Sequence, residues 1–454
     1  MEKIIITKFG GSILSNGSDY SRIADHVKDL TEQGVGVVVV VSAMKNVTNS
    51  LIKLISHPVQ YRTILSWIKE RYELALKDAC NGGCKEEFYE AFKELVTELE
   101  RVAWAIGVLG EVSPKVKDYI LSFGERLSSI VMCAALSSKG VPCEFLSGFD
   151  AGIVTDDNFS EARPIHEISS RLSRAKILPL LRAGKVPVVT GFIGGTLDGA
   201  ITTLGRGGSD YTATLLARYL GAEEVRLYTN VPGILAADPR FVDDARVVSK
   251  LSFKEAMELA YLGAKKFHPR TFEPLLGTGI RVRVTSIDEP DGGTVIDDVG
   301  GAPPLKAVVA LTGLALVSVE GASMVGRLGT AAEIMRAASA SGVNIVGIAQ
   351  PVSEVSITLV VRDKDADNLV SALKGLRDGF VRNVDVRRNV SAVIVVGEGL
   401  RNMGTLRDVL SRAINDRAKL MLWYVGDSSI TLVAESDVIG EIVRGLYEEV
   451  IGNG

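Results

Sequence analysis

Short apolar runs and longer amphipathic stretches take turns along the first 300 residues. Residues 3–7, with Ile4, Ile5 and Ile6 at their centre, read as a buried strand, and Ile23, Val27 and Leu30 then recur at helical spacing. Val37 to Val41 are valines in succession, as expected of a parallel strand covered on both faces. Residues 59–107 read as a long helical insertion ending in Trp104-Ala105-Ile106-Gly107. An apolar helix (Ile130, Val131, Ala134, Leu136) opens at Ser122, and strands are expected at 143–146, 186–190 and 224–228. Ala213, Leu215, Leu216, Ala217 and Leu220 mark another helix, and 253–261 a further one. This alternation predicts one α/β domain with a largely parallel sheet over residues 1–300.

Asp291-Gly292-Gly293 and Gly300-Gly301-Ala302-Pro303-Pro304 punctuate the chain, and beyond them a repeat appears. Val317-Ser318-Val319-Glu320-Gly321 leads through Met324-Val325-Gly326-Arg327-Leu328-Gly329 into a helix and closes with Ser356-Ile357-Thr358-Leu359-Val360. Val393-Ile394-Val395-Val396-Gly397 leads through Asn402-Met403-Gly404 into a helix and closes with Ser429-Ile430-Thr431-Leu432-Val433. Two small paired β-α-β-β modules are expected, at 312–385 and 386–454, the second completed by a strand from 303–312.

Composition narrows the function classes. A chain of 454 residues, 46% apolar, is long enough for two or three domains. Lys+Arg 51 against Asp+Glu 55 gives a net charge of −4, which argues against a nucleic-acid scaffold. No apolar run reaches about 18 residues, so no membrane span is expected. The N-terminus enters a strand-like run without a signal peptide, and the expected compartment is cytoplasmic. The four cysteines are too few for a disulfide scaffold, and Cys80 and Cys84 are read as bracketing a turn between helices rather than a metal site or a bridge. The four histidines are scattered, so neither a His-based metal site nor a Ser/His triad is expected.

The candidate chemistry gathers where strands end. Lys8-Phe9-Gly10-Gly11-Ser12 follows the first strand, the layout of a phosphate-binding loop, although the Walker spacing is absent. A lysine closing a buried strand needs a partner for its charge. Ser42, Thr48 and Asn49 follow the valine strand, placed either to bind a small polar ligand or, for the last two, to cap a helix. Glu125 suits a ligand ammonium, and equally an acidic position in a helix's first turn. Thr203-Leu204-Gly205-Arg206-Gly207-Gly208-Ser209-Asp210-Tyr211 is the most informative stretch. Its glycines allow close backbone approach, the following helix offers free N–H groups to an anion, and Arg206 is a fork for carboxylate or phosphate. Asp210 sits where it can cap the helix, place a cation or orient a reacting group. Arg240 and Lys265 add cationic groups to the same strand edge.

These motifs, in this order, resemble the aspartate kinase family: Lys-Phe-Gly-Gly at 8–11, Ser-Ala-Met at 42–44 with Val-Thr-Asn at 47–49, Ser-Phe-Gly-Glu-Arg-Leu-Ser at 122–128, Gly-Phe-Ile-Gly at 191–194, Thr-Thr-Leu-Gly-Arg-Gly-Gly-Ser-Asp at 202–210, Ala-Asp-Pro-Arg at 237–240, Gly-Ala-Lys at 263–265 and His-Pro-Arg-Thr at 268–271. The resemblance covers nearly the whole chain. It implies an amino acid kinase fold followed by two βαββαβ ferredoxin-like ACT domains, with ATP and Mg²⁺ as cofactors. It further implies that Lys8, Asp210 and Lys265 act in catalysis. Ser42, Thr48, Glu125, Phe192, Thr203, Arg206 and Ser209 would bind the amino acid, Arg206 gripping its carboxylate and Glu125 its ammonium. Lys8, Gly10, Gly11, Ser12, Gly207, Gly208, Thr229, Asn230, Leu235, Arg240 and Lys265 would surround the nucleotide. Met324, Gly326, Gly329, Asn344, Ile345, Gln350, Ser353 and Glu354 fall where ACT domains bind an amino-acid effector.

Three positions depart from the family pattern. Ser12 replaces a threonine, Asn230 replaces an aspartate beside the phosphates, and Leu235 replaces an aromatic residue. The expected reaction is phosphorylation of aspartate's side-chain carboxylate. Homoserine kinase activity on the same scaffold and a catalytically silent amino-acid sensor are the alternatives. ACT pairing across subunits implies a homodimer or larger homo-oligomer, with no nucleic acid and no membrane among its partners.

Overall fold

The computed structural model describes residues 3–81, 83–262, 267–376, 381–413 and 420–448. The chain divides into two compact units: residues 1–234, 247–257 and 266–300 form the first, and residues 235–246, 258–265 and 301–454 the second. The segment 235–246 therefore leaves the first unit although the sequence pattern assigns it there.

The first unit is built on strands β1 (Ile4–Phe9), β2 (Gly36–Val41), β3 (Cys143–Leu146), β4 (Val186–Thr190), β5 (Ile193–Gly195), β6 (Ile201–Thr203), β7 (Glu224–Tyr228), β8 (Lys250–Ser252), β9 (Arg281–Thr285) and β10 (Thr294–Asp297). Its helices are α1 (Gly17–Glu32), α2 (Val47–Ser56), α3 (Tyr61–Ala79), α4 (Glu86–Leu109), α5 (Pro114–Ser138), α6 (His166–Arg182) and α7 (Gly208–Leu220), and it holds the start of α8 (Phe253–Leu262), whose residues from 258 onward belong to the second unit. Eight strands form one sheet in the order β3-β4-β2-β1-β7-β9-β10-β8, and β5 and β6 make a separate hairpin. The sheet is parallel from β3 to β9, while β10 runs antiparallel to β9 and β8 follows β10. Every residue of β2 is buried, as its unbroken valine run requires. In-register pairing of Lys8 with Val40 and Leu227, and of Val41 with Thr190, brings the carboxyl ends of β1, β2, β4 and β7 to one edge.

Local signals start the helices. Asn16 and Asp19 form a reciprocal capping box on α1, which then buries Tyr20, Ile23, Ala24, Val27 and Leu30. Ser113 caps α5, with Pro114 at its first position. Helix α5 is long and apolar enough to cross a membrane, yet it is packed inside the protein. The helical insertion is two helices, α3 and α4, and their junction corrects the reading of the cysteines. Cys80 and Cys84 are joined by a disulfide, and a second links Cys133 on α5 to Cys143 at the start of β3. The turn at Lys139-Gly140 reverses the chain and brings the second pair within 5.8 Å, Cα to Cα, a proximity that spacing alone does not reveal.

The second unit contains β11 (Ala307–Glu320), α9 (Thr330–Ala340), β12 (Ile345–Ala349), β13 (Ser356–Arg362), α10 (Ala366–Lys374), β14 (Asn383–Val396), α11 (Met403–Ala413), β15 (Leu420–Val425), β16 (Ser429–Glu435) and α12 (Ile439–Leu446). Its strands form one antiparallel sheet in the order β12-β13-β11-β14-β16-β15. The two longest strands, β11 and β14, serve both repeats. Residues 307–311 pair with 392–396, and residues 314–320 pair with β13 as well as with the first half of β14. A division at 385/386 thus falls inside a shared strand.

The two disulfides close loops of only 4 and 10 residues, so chain entropy assigns each roughly 2–3 kcal/mol. The oxidised protein is expected to show no titratable thiol, and reduction to lower its thermal midpoint by a few degrees. Thiol titration of the native protein and melting with and without dithiothreitol check both.

Candidate functional site

Lys8, the penultimate residue of β1, is almost fully buried, at 9% exposure, and its Nζ lies 2.6 Å from Asp210 Oδ1. Desolvating a lone ammonium would be prohibitive, so the pair joins the central strand to α7. Phe9 turns to the other face and stacks on Tyr228, with ring centroids 4.8 Å apart. The next residues must be small. A Cβ on Gly10 would sit 3.1 Å from Lys8 Nζ, and one on Gly11 only 2.8 Å from the Ala43 carbonyl oxygen.

The opposite wall is the start of α7. Gly207 holds φ 70° against His268, and a Cβ on Gly208 would meet the Phe192 ring at 2.7 Å. Only glycine gives this backbone its approach; the Gly208 N–H donates to the Gly205 carbonyl at 3.0 Å, so among the described residues it is the Ser209 and Asp210 N–H groups that are left for an anion. Asp210, in the helix's first turn, is taken by Lys8. Burial and the Arg270 and Arg206 charges hold His268 below the ordinary imidazole range.

The third wall is the β2–α2 loop, held down on α5. The Ala43 N–H donates to Glu125 Oε1 at 3.1 Å, and the Met44 N–H donates to Tyr72 Oη at 3.0 Å. Tyr72 in turn donates to the Gly124 carbonyl at 2.7 Å. Glu125 lies mid-helix in α5, so the reading of it as a first-turn acid does not apply. Its Oε2 is buried and has no partner among the described residues. Burial pushes the carboxyl up to about 8, opposed by the Ala43 N–H and the Lys8 charge. The N-cap of α2 is Asn46 and makes no side-chain cap, so Thr48 and Asn49 do not cap this helix but line the cavity in its first turn.

These walls enclose an open cavity of about 810 Å³. Among the sequence-selected residues, Lys8, Gly11, Ser12, Ser42, Thr48 and Glu125 line it, together with Phe192, Thr203, Arg206, Gly207, Gly208, Ser209 and Asp210. Phe192 holds φ 70°, and its N–H donates to Thr212 Oγ1. Arg206 is exposed and, among the described residues, has no carboxylate at ion-pairing distance. Lys45, Lys117, Leu121 and Ser160 also line the cavity, and no motif marked them.

Other candidates lie elsewhere. Gly10 sits behind Lys8 rather than on the cavity wall. Thr229 and Asn230 follow β7 on the same sheet edge, but the Thr229 hydroxyl is spent on the Val231 turn and Asn230 is exposed. Leu235 and Arg240 belong to the second unit, where Arg240 is paired with Asp238. Lys265 lies outside the described residues. Among the described residues no cluster of three or more His, Cys, Asp or Glu side chains could hold a metal ion.

The effector candidates do not form one wall. Asn344 and Ile345 line an open groove of about 570 Å³ between α9 and β12. A Cβ on Gly347 in that groove would lie 2.8 Å from the Tyr424 hydroxyl of β15. Met324 is buried in the core of the first repeat. Gly326 donates its N–H to Glu354 at 2.8 Å, Gly329 precedes α9 at φ 88°, and Gln350 and Ser353 are exposed on the loop after β12.

Comparison with known proteins follows this geometry. The family model described as the amino acid kinase family matches residues 3–286, and an ACT domain model matches residues 317–375. The chain is similar to the lysine-sensitive aspartokinase 3 of Escherichia coli, 32% identical over 98% of this chain and 99% of that protein. It is 29% identical, over 91% of its length, to 47% of the chloroplastic bifunctional aspartokinase/homoserine dehydrogenase 2 of Arabidopsis thaliana. It spans about half the length of the bifunctional relatives it matches. The solved structure of E. coli aspartokinase III in complex with aspartate and ADP superimposes with a TM-score of 0.81 at 27% identity, covering 99% of this chain and 100% of that one.

A ligand ammonium seated on Glu125 needs the ionised carboxylate, whereas below about pH 8 the free site holds a proton there. An amino acid that seats its ammonium there is therefore expected to release a proton on binding at pH 7, and to bind more tightly as the pH rises towards 8. Titration calorimetry in buffers of different ionisation enthalpy reads that proton; Glu125→Gln should abolish both effects.

Proposed function

This chain belongs to the amino acid kinase family, and we propose that it acts as an aspartate kinase, moving the γ-phosphoryl group of ATP to the side-chain carboxylate of L-aspartate to give 4-phospho-L-aspartate. One observation carries the reading. A single cavity holds a buried carboxylate, Glu125, with an oxygen that no described residue partners, a guanidinium, Arg206, that no described residue pairs, and a glycine-bordered cation, Lys8. The first two suit the ammonium and α-carboxylate of an amino acid. The third, with the N-terminus of α7, suits the terminal phosphates of a nucleotide.

Phosphoryl transfer asks mainly for alignment and for neutralisation of charge spread over the transferring oxygens. Lys8 supplies a fixed positive charge, and Asp210 holds that ammonium in place rather than taking a proton. Gly11, Gly207 and Gly208 line the cavity and give an approach without side-chain obstruction. Aspartate's carboxylate is ionised at neutral pH and attacks without a general base. Mg²⁺ would accompany the nucleotide and neutralise phosphate charge; with no cluster of carboxylates among the described residues, phosphates and water would supply most of its ligands. Thr229 and Asn230, at the end of β7 on the same sheet edge, are the remaining proposed nucleotide contacts in this unit.

The ACT repeats are proposed to bind an amino-acid effector at the groove along β12 and to pair subunits into a homodimer or larger assembly. The E. coli relative is named for its sensitivity to lysine, which makes lysine the first effector to try. A cytoplasmic setting agrees with two disulfides only where the cell interior tolerates them, as in hyperthermophiles.

Hydroxylamine trapping decides between acceptors: an acyl phosphate from aspartate forms a hydroxamate, whereas a phosphate ester from homoserine does not. Hydroxamate is expected with aspartate, and ADP release with homoserine alone would overturn the assignment. Lys8→Ala is expected to lower kcat by about 100-fold or more. Arg206→Ala is expected to raise the aspartate KM by roughly tenfold or more with a smaller change in kcat. Steady-state kinetics with either substrate varied check both.

A further inference from the structure

Asp118 has no solvent exposure and sits one turn into α5, seven residues before Glu125. It marks no motif. Its carboxylate accepts four hydrogen bonds, all from two segments distant in sequence. Oδ2 takes the backbone N–H of Ser160 at 2.8 Å and that of Thr203 at 2.8 Å. Oδ1 takes the Thr203 hydroxyl at 3.0 Å and the Ser160 hydroxyl at 3.3 Å. Both segments line the cavity, Ser160 from the 155–164 loop and Thr203 from the end of β6.

Each segment needs holding. Ser160 has φ 76°, a left-handed conformation that a serine adopts only when its surroundings compel it. Thr203 is followed by Leu204, Gly205 and Arg206, and Gly205 holds φ 76° where a Cβ would come within 3.4 Å of the Ser160 carbonyl. Ala162 also donates its N–H to the Thr203 carbonyl at 3.0 Å. The backbone that carries Arg206 therefore leaves a strand end that the Asp118 carboxylate ties to α5, beside its pairing with β5 and the Leu204 N–H bond to the Phe192 carbonyl. Because α5 also carries Glu125, that carboxylate sets the spacing between the two groups assigned to the ends of the substrate zwitterion.

We propose that Asp118 is a positioning residue for the amino-acid pocket: by gripping Ser160 and Thr203 it fixes Arg206 at the distance from Glu125 that a small α-amino acid spans. The proposal rests on the assignment of Glu125 and Arg206 to the substrate's ammonium and carboxylate. Asp118 has no solvent exposure and is not part of the cavity lining, so its removal should be felt far more in amino-acid binding than in nucleotide binding.

The test begins with the unaltered protein and hydroxylamine trapping, which establishes which amino acid is turned over; failure there is failure of the functional reading and not of this one. KM for that amino acid, KM for ATP, kcat and the thermal midpoint are then measured for Asp118→Ala and Asp118→Asn. Asp118→Ala is expected to raise the amino-acid KM by about tenfold or more while KM for ATP stays within about twofold. Asp118→Asn is expected to keep both constants within about threefold, because its amide oxygen can accept the two N–H groups and its NH₂ can donate to the two hydroxyl oxygens. A lowered midpoint with an unchanged amino-acid KM, or equal rises in both KM values, would reduce Asp118 to a residue of general stability and overturn the proposal. Should Asp118→Ala not fold, Ser160→Gly serves on a partly exposed loop. It removes one of the four bonds and frees the backbone, and is expected to raise the amino-acid KM about threefold with KM for ATP unchanged. An unchanged amino-acid KM in that variant overturns the proposal as well.

Discussion

The ion pair between Lys8 and Asp210 is the constraint around which the first unit is arranged. A lysine that ends a strand buried on both faces has nowhere to send its charge except across the sheet edge. Helix α7 answers from the far side of the sequence with a carboxylate at 2.6 Å. Removing one partner of such a buried pair leaves the other uncompensated, at a cost of roughly 3–5 kcal/mol. The pair therefore ties the helix that presents open N–H groups to the strand that presents the cation. The glycines on both sides follow from that closeness, since any Cβ at Gly11 or Gly208 would overlap a neighbour.

Helix α5 plays the complementary part. It is apolar enough to be read as core and little else, and most of it is core. Yet it carries two buried carboxylates on the side that faces the cavity. One accepts from the β2–α2 loop and leaves an oxygen free; the other is saturated by Ser160 and Thr203. The difference in their hydrogen bonding gives them different uses. A carboxylate with every lone pair occupied holds backbone in place, whereas one with an empty oxygen is open to a cation brought by a ligand. Tyr72 extends the arrangement to the helical insertion by bridging Met44 and Gly124.

In the second unit the economy is of strands rather than charges. Strands β11 and β14 each run through both repeats, so neither repeat has a complete sheet without the other's strand halves. A bulge near Leu311–Leu314 and the left-handed Asn389 let the long strands change course where one repeat gives way to the next. The repeats are easy to find as sequence units and hard to separate as structural ones.

The chain by itself determined the alternation of strands and helices, the glycine loops at strand ends, the two C-terminal repeats and most of the cavity-lining residues. Those features are local: an all-valine run, a lysine before two glycines, or glycines before an apolar helix carry their physical reason within a few residues. The tertiary structure decided what meets what. It put Glu125 in the middle of a helix instead of at its start, joined Cys133 to Cys143, handed residues 235–246 to the second unit, and brought Asp118 against Ser160 and Thr203. Each of these depends on register and packing between segments tens of residues apart, where the free energy comes from burying one surface against another and no short pattern records the partner.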